Sequence, residues 1–157
     1  MMLWIIIIAF VCLTIGLLLR WNDRRNSVQV YTPQDEAREQ AKLKPYFRRE
    51  VVERKVRSLF PEQDGAYILQ LLDDNTPDLG SVERMQLSIL KLSNGNLDQL
   101  KHYLKLASSP TDFRKLIQLA ESPGSSRLVD QKDLFWGEHK KLIEKDFREY
   151  EKWLKKG

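Results

Sequence analysis

Apolar residues are distributed in two different ways along this chain. Residues 1–19, MMLWIIIIAFVCLTIGLLL, form a run without a charged side chain, whereas charges at helical spacing interrupt every later apolar segment. At about 1.5 Å per helical residue the run reaches roughly 28 Å, close to the ~30 Å hydrocarbon thickness of a bilayer. A cleaved signal peptide fits less well, because no basic residue precedes the run and no small-residue cleavage site follows it. The pattern predicts an uncleaved transmembrane anchor over residues 1–20.

The charges behind this run predict its orientation. Arg20, Arg24 and Arg25 follow it at once, and no charged side chain precedes it. Because basic flanks stay in the cytoplasm, we expect the N-terminus outside and the chain from about residue 20 onward inside. The lipid bilayer is then the first predicted partner.

Beyond the anchor, apolar residues recur at three- and four-residue steps, and no strand-like alternation of useful length appears. Residues 21–32 form a juxtamembrane linker in this interpretation, residues 33–60 a basic helical segment that Pro45 interrupts, and residues 61–157 a helical bundle domain. The predicted fold class is all-α: a single N-terminal transmembrane helix followed by an irregular bundle of about five to six helices with a long C-terminal helix.

Capping residues predict where the helices begin and end. Proline in the first turn and Ser, Asn or Asp just before it are typical of helix starts, and an Asn-Gly pair is typical of a helix end. Starts are predicted at Pro33, Pro61, Ser81, Asn96, Ser109 and Asp130, and an end at Asn94-Gly95. The final helix is predicted to extend from about Gln131 to Lys155.

The chain has 157 residues and a formal net charge of +4, and its positive charge is concentrated near the N-terminus. Residues 20–57 contain 11 Lys/Arg against 6 Asp/Glu, and residues 58–157 contain 15 against 16. Such an excess suits an anionic membrane leaflet, at about 1 kcal/mol per basic residue near the surface. The nearly neutral distal part argues against nucleic acid as a partner.

Two features are candidates for contact with a partner. Arg48, Arg49, Arg54 and Lys55 lie largely opposite the apolar residues of the segment 46–60, which is typical of a helix on a membrane surface or against a partner. The solvated outer face of an ordinary packed helix is the alternative. Trp136 falls between the apolar positions of the final helix and is predicted to anchor a protein partner; the alternative is a half-buried residue at the helix edge.

No catalytic, metal or cofactor site is predicted. His102 has only Asp98 at helical spacing and His139 has no such neighbour, and the loop containing Asp73, Asp74 and Asp78 lacks the ligand spacing of a calcium loop. No Ser or Cys has a recognisable nucleophile context, and the seven glycines form no phosphate loop. We therefore expect neither enzyme activity nor a small-molecule substrate.

Residues 83–100, ERMQLSILKLSNGNLDQL, resemble a segment of small bacterial helical proteins of unknown function that reads roughly ERVQLAILKLSxGNLDKL. Residues 112–123, DFRKLIQLAESP, resemble the DYRDVLAWAEYP segment of the same group, and Tyr150 with Trp153-Leu154 resembles its closing YxxWL. The chain departs from this pattern at Gln118, Leu119 and Ser122. The resemblance implies a bacterial source and a helical domain, and it carries over no site.

These observations predict a single-pass protein of the bacterial inner membrane with its C-terminal domain in the cytoplasm. Its predicted function is that of a non-catalytic interaction or adaptor module that binds a membrane-associated protein. The alternative is binding of anionic lipid or nucleic acid through the basic helices of residues 35–57.

Overall fold

Helices are the only regular secondary structure in the computed structural model, which describes residues 33–78, 81–109, 112–124 and 136–156. They are α1 (Pro33–Leu43), α2 (Arg49–Leu59), α3 (Gly65–Asn75), α4 (Val82–Ser93), α5 (Leu97–Ala107), α6 (Asp112–Glu121) and α7 (Trp136–Lys155), with a 3₁₀ segment at Lys44–Tyr46. The predicted all-α class and the long C-terminal helix are confirmed for this part of the chain.

Several helix ends lie where capping chemistry places them. The side chains of Ser81 and Asn96 each accept a backbone N–H from the first turn of α4 and α5, at 3.4 and 2.9 Å respectively. α4 ends at Asn94, which adopts the left-handed conformation with φ of 46°, followed by Gly95 with φ of 79°. Pro45 stands directly after α1, inside the 3₁₀ segment. These four predictions are confirmed, because each depends on a residue and its immediate neighbours.

The start of α3 differs from the prediction. The helix begins at Gly65 and not at Pro61, because the Asp64 carboxylate accepts the backbone N–H of Ala66 at 2.9 Å. Residues 61–63 form a turn before this cap. A helix that began at Pro61 would have Phe60 as its N-cap, whose side chain has no acceptor, whereas Asp64 supplies one.

α4 lies at the centre of the packing. Every residue from Met85 to Leu90 is buried, and this helix contacts α2, α5 and α6. α7 packs against α6 and α1 and contributes Ile143, Phe147, Tyr150 and Leu154 to the same core. The described residues belong to one compact unit, Tyr31–Gly157. Because α1 and α2 belong to it too, the unit contains seven described helices where about five to six were predicted.

Two predictions are corrected here: the transmembrane helix in the fold class and the location in the bacterial inner membrane. Among the described helices, none combines the length and the apolar content that crossing a bilayer requires. α1 to α6 have 10 to 12 residues, and α7, with 20 residues, carries charged side chains along its whole length. Neither prediction is supported. Residues 1–20 and 21–32, on which the predicted anchor and linker fall, lie outside the described residues.

Candidate interaction surface

Two of the basic residues predicted to contact a partner lie at the N-terminal end of α2. Arg48 immediately precedes the helix and is exposed. Arg49 donates from Nη1 and Nη2 to the carboxylate of Asp73 on α3, at 2.5 and 2.8 Å. These hydrogen bonds hold the pKa of the Asp73 carboxyl below its usual range. Arg49 therefore joins α2 to α3.

Arg54 and Lys55 bind the C-terminal end of α7. The Arg54 Nη2 donates to the carbonyl oxygen of Leu154 at 2.8 Å, and the Lys55 Nζ donates to the carbonyl oxygens of Trp153 and Lys156. Lys55 is only 3% exposed, and its Nζ lies 4.4 Å from the centroid of the Trp153 ring. The last carbonyls of a helix lack intrahelical donors and carry partial negative charge, so these two cations stabilise the end of α7.

The burial of Lys55 makes the stability of the domain depend on pH. Burial lowers the pKa of Lys55 from 10.5 to about 8, and the charges of Arg54 and Lys156 act in the same direction. Between these two pH values the unfolded chain binds more protons than the folded chain, so stability increases as the pH rises. We expect the free energy of unfolding of the wild type to increase relative to Lys55→Met from pH about 8 to about 10.

Urea denaturation at a series of pH values measures this difference. Lys152→Met, which removes an exposed lysine of α7, is the control, and the change of the free energy difference with pH should be larger for Lys55→Met than for this variant. If the free energy of unfolding of Lys55→Met, relative to the wild type, changes with pH no more than that of Lys152→Met does, the prediction is wrong.

The five predicted contact residues do not share one described surface. Arg49 is bound to α3, and Arg54 and Lys55 are bound to α7. Trp136 is the first residue of α7, and its side chain lies outside the described structure. Its role as an exposed anchor stays a prediction, as does a contact through Arg48.

A partly buried ion pair joins α4 to α6. Arg84 donates from Nε and Nη2 to the two carboxylate oxygens of Glu121, each at 2.6 Å. Burial acts to lower the pKa of Arg84, but the hydrogen bonds and the charge of Glu121 outweigh it, so this pKa is raised. Glu121 is the last residue of α6, where a negative charge opposes the helix dipole. The guanidinium of Arg84 compensates this unfavourable position.

A second cation of α4 reaches the same end of α6. The Lys91 Nζ donates to the carbonyl oxygen of Ala120 at 2.8 Å and lies 4.4 Å from the ring centroid of Tyr150 on α7. Burial lowers the pKa of Lys91, and the charge of Asp146 opposes this shift. Asp146 accepts the backbone N–H of Gly124 at 2.8 Å. The buried charges of the described structure, Lys55, Glu121 and Asp146, are thus all bound to other parts of the chain.

The exposed face of α7 carries a second set of cations, which we call the basic row. It consists of Lys141, Lys145, Arg148, Lys152 and Lys155, and all five side chains are exposed. At about 100° and about 1.5 Å per residue, the five positions fall within an arc of about 80° and extend about 21 Å along the helix. The buried residues of α7 lie on the opposite side of the helix.

Only part of the basic row is paired within the chain. Lys145 lies 3.8 Å from Glu149, and Lys155 lies 2.8 Å from Glu151. Both are pairs one helical turn apart at the protein surface, a kind that contributes little to stability. Within the described residues, the other three members, Lys141, Arg148 and Lys152, form no ion pair.

The basic row was not among the predicted contact residues. Its signal in the sequence is the repetition of Lys or Arg at successive steps of four, three, four and three residues from Lys141. This is the period of one face of a helix. The apolar residues of α7 follow the same period, and the basic row is their counterpart on the solvent side.

Neither a metal site nor a relative identifies the function. Within the described ranges, no group of three or more His, Cys, Asp or Glu side chains is placed to hold a metal ion. No family model, curated protein or solved structure matches this chain. The resemblance to small bacterial helical proteins stays a prediction.

Proposed function

We propose that this helical domain is a non-catalytic interaction module that binds another protein through the exposed face of α7. The basic row carries this proposal. Its five cations share one narrow face, and Lys141, Arg148 and Lys152 have no ion pair within the described part of the chain. Like charges held side by side on one helix repel each other, so a partner that brings opposite charge relieves an unfavourable arrangement.

The packing of α7 supports this function, because a binding face is most effective on a rigid element. Tyr150 and Leu154 are fully buried on the inner side of the helix. Arg54 and Lys55 bind its C-terminal carbonyls. Fixed on these two sides, α7 presents the basic row without a large loss of backbone conformational entropy on binding.

The buried charged groups support a non-catalytic module. A catalytic acid or base has to reach a substrate atom within hydrogen-bond distance. Glu121 is occupied by Arg84, and Lys55 by backbone carbonyls of α7. These groups connect helices within the unit.

Site-specific photocrosslinking in the native cells tests the proposed function. A benzophenone side chain in place of Glu149, which is exposed at the edge of the basic row, should yield one recurrent protein adduct. The same side chain in place of Gln70, an exposed residue of α3, is the control and should not yield that adduct. Absence of a protein adduct from the Glu149 position, or the same adducts from both positions, would overturn the proposal.

A further inference from the structure

The basic row has a shape that restricts what it can bind. Its width is set by the helix: Glu144, Glu149 and Glu151 flank the five cations at the edges of the same face. A partner with a broad negative surface meets these carboxylates as well as the cations. A narrow row of negative charges, about as wide as the basic row itself, meets only the cations. The geometry favours a linear acidic partner.

The residues of the basic row exclude apolar contact as the main contribution to its binding free energy. Tyr67, 45% exposed, is the only large apolar side chain that is exposed in the described part of the chain, and it belongs to α3. The row therefore offers no aromatic platform on which the bases of a single-stranded nucleic acid stack. It also offers no apolar face for insertion into a membrane, because the apolar side of α7 is buried in the domain.

The net charge of the domain indicates over what distance the basic row attracts a negatively charged partner. The compact unit that carries the row, residues 31–157, contains 23 Lys/Arg against 21 Asp/Glu, so its net charge is only +2 and its long-range positive field is weak. Duplex nucleic acid and anionic membranes are bound chiefly through such a field. The row acts over short distances, since charges further apart than about 8 Å are screened at physiological ionic strength.

We propose that the occupant of the basic row is an acidic helix of the partner protein. This inference rests on the proposed interaction function and names the partner's chemistry. Carboxylates at steps of four and three residues on one face have the same axial spacing as the cations of α7. Two helices that lie side by side bring such rows into contact through the charged ends of their side chains. In coiled coils, charged rows that flank an apolar seam determine partner choice between helices, and here the charges act without that seam.

Binding of a synthetic peptide to the full chain tests this inference. The probe is a hydrocarbon-stapled helix of about 20 residues that carries Glu at steps of four and three residues on one face. Its control has the same composition, with the glutamates distributed around the helix. Fluorescence anisotropy should show binding of the first peptide at least about tenfold tighter than that of the control. The affinity should fall steeply between about 0.05 M and about 0.3 M salt.

Charge reversal on the protein identifies the face that binds. The triple variant Lys141→Glu, Arg148→Glu, Lys152→Glu changes only exposed residues of the basic row and should weaken binding of the patterned peptide at least about tenfold. The matched control is Lys101→Glu, Lys105→Glu, Arg114→Glu, which makes the same change in net charge at exposed positions of α5 and α6. It should weaken binding less than about threefold. Circular dichroism verifies that both variants remain folded.

Three outcomes would overturn the inference. They are equal binding of the two peptides, equal loss in the two variants, and tighter binding of a 20-base-pair DNA duplex or of phosphatidylserine vesicles than of the patterned peptide. The photocrosslinking experiment separates this inference from the proposed function. If a protein adduct forms at the Glu149 position and survives the triple reversal of the basic row, the domain binds proteins and the acidic-helix inference is wrong.

Discussion

Gly95→Ala is expected to lower the free energy of unfolding by about 2–4 kcal/mol, because alanine is unfavourable there for two independent reasons. Gly95 has φ of 79°, a conformation that costs a residue with a Cβ about 1–2 kcal/mol. A Cβ built at this position also lies 2.5 Å from the carbonyl oxygen of Leu59. That oxygen belongs to the backbone at the end of α2, so it cannot rotate away. The substitution has to separate α2 from the turn between α4 and α5.

Gly65→Ala is the control for this prediction. Gly65 is the first residue of α3, and the nearest atom to a Cβ there is Cγ1 of Val56 at 3.9 Å, an ordinary contact. Alanine at this position should be neutral or stabilise by up to about 1 kcal/mol, because it restricts the unfolded chain. Urea denaturation of both variants and the wild type measures the difference. If Gly95→Ala is as stable as Gly65→Ala, a Cβ at residue 95 does not clash with the carbonyl oxygen of Leu59 and the prediction is wrong.

Arg84→Met is expected to destabilise the domain by about 3–5 kcal/mol, because it leaves the buried carboxylate of Glu121 without its partner. Glu121 has only 2% of its surface exposed and accepts both of its hydrogen bonds from the guanidinium. Its place at the end of α6 makes the uncompensated charge still less favourable. The double variant Arg84→Met, Glu121→Met removes both charges and should be more stable than Arg84→Met alone.

A double-mutant cycle that includes Glu121→Met measures the coupling of this pair, which we expect to exceed about 2 kcal/mol. The pair Lys115–Asp112 on α6 is the matched control, with its Lys115 Nζ 3.5 Å from the carboxylate and 77% of the lysine side chain exposed. Its coupling should stay below about 0.5 kcal/mol, as is usual for exposed ion pairs. Equal coupling energies in the two cycles would show that burial does not strengthen the Arg84–Glu121 contact.

Local chemistry explains which parts of the fold were predictable. The caps at Ser81 and Asn96 and the left-handed end at Asn94-Gly95 each involve atoms within about four residues of one another, so the printed sequence contains all the information. The start of α3 was not predicted, although Asp64 is also a local signal, because Pro61 offered a competing start three residues earlier. The side-chain acceptor of Asp64 decided between the two starts.

Contacts between residues far apart in the sequence explain why Arg54 and Lys55 were predicted to face a partner. Arg54 donates to a carbonyl 100 residues later in the chain, and the two acceptors of Lys55 lie 98 and 101 residues later. On a helical projection Arg54 stands on the polar face of α2, whereas Lys55, four residues after Val51 and three after Val52, falls within its apolar stripe. In the fold, both side chains reach the end of α7. An unpaired helix terminus attracts cations from any element that packs beside it, and the periodicity of α2 indicates that Lys55 faces inward but not that α7 is its neighbour.

The sequence by itself determined the helical class, most of the capped ends and the period of both faces of α7, because each is a property of residues close together in the chain. Only the tertiary structure decided which cations bind another part of the chain and which do not. Lys55 is buried against the end of α7, while Lys141, Arg148 and Lys152 are exposed. The same amino-acid type stabilises the fold in one place and is available to a partner in another, since exposure depends on which helices pack together and not on the residue itself.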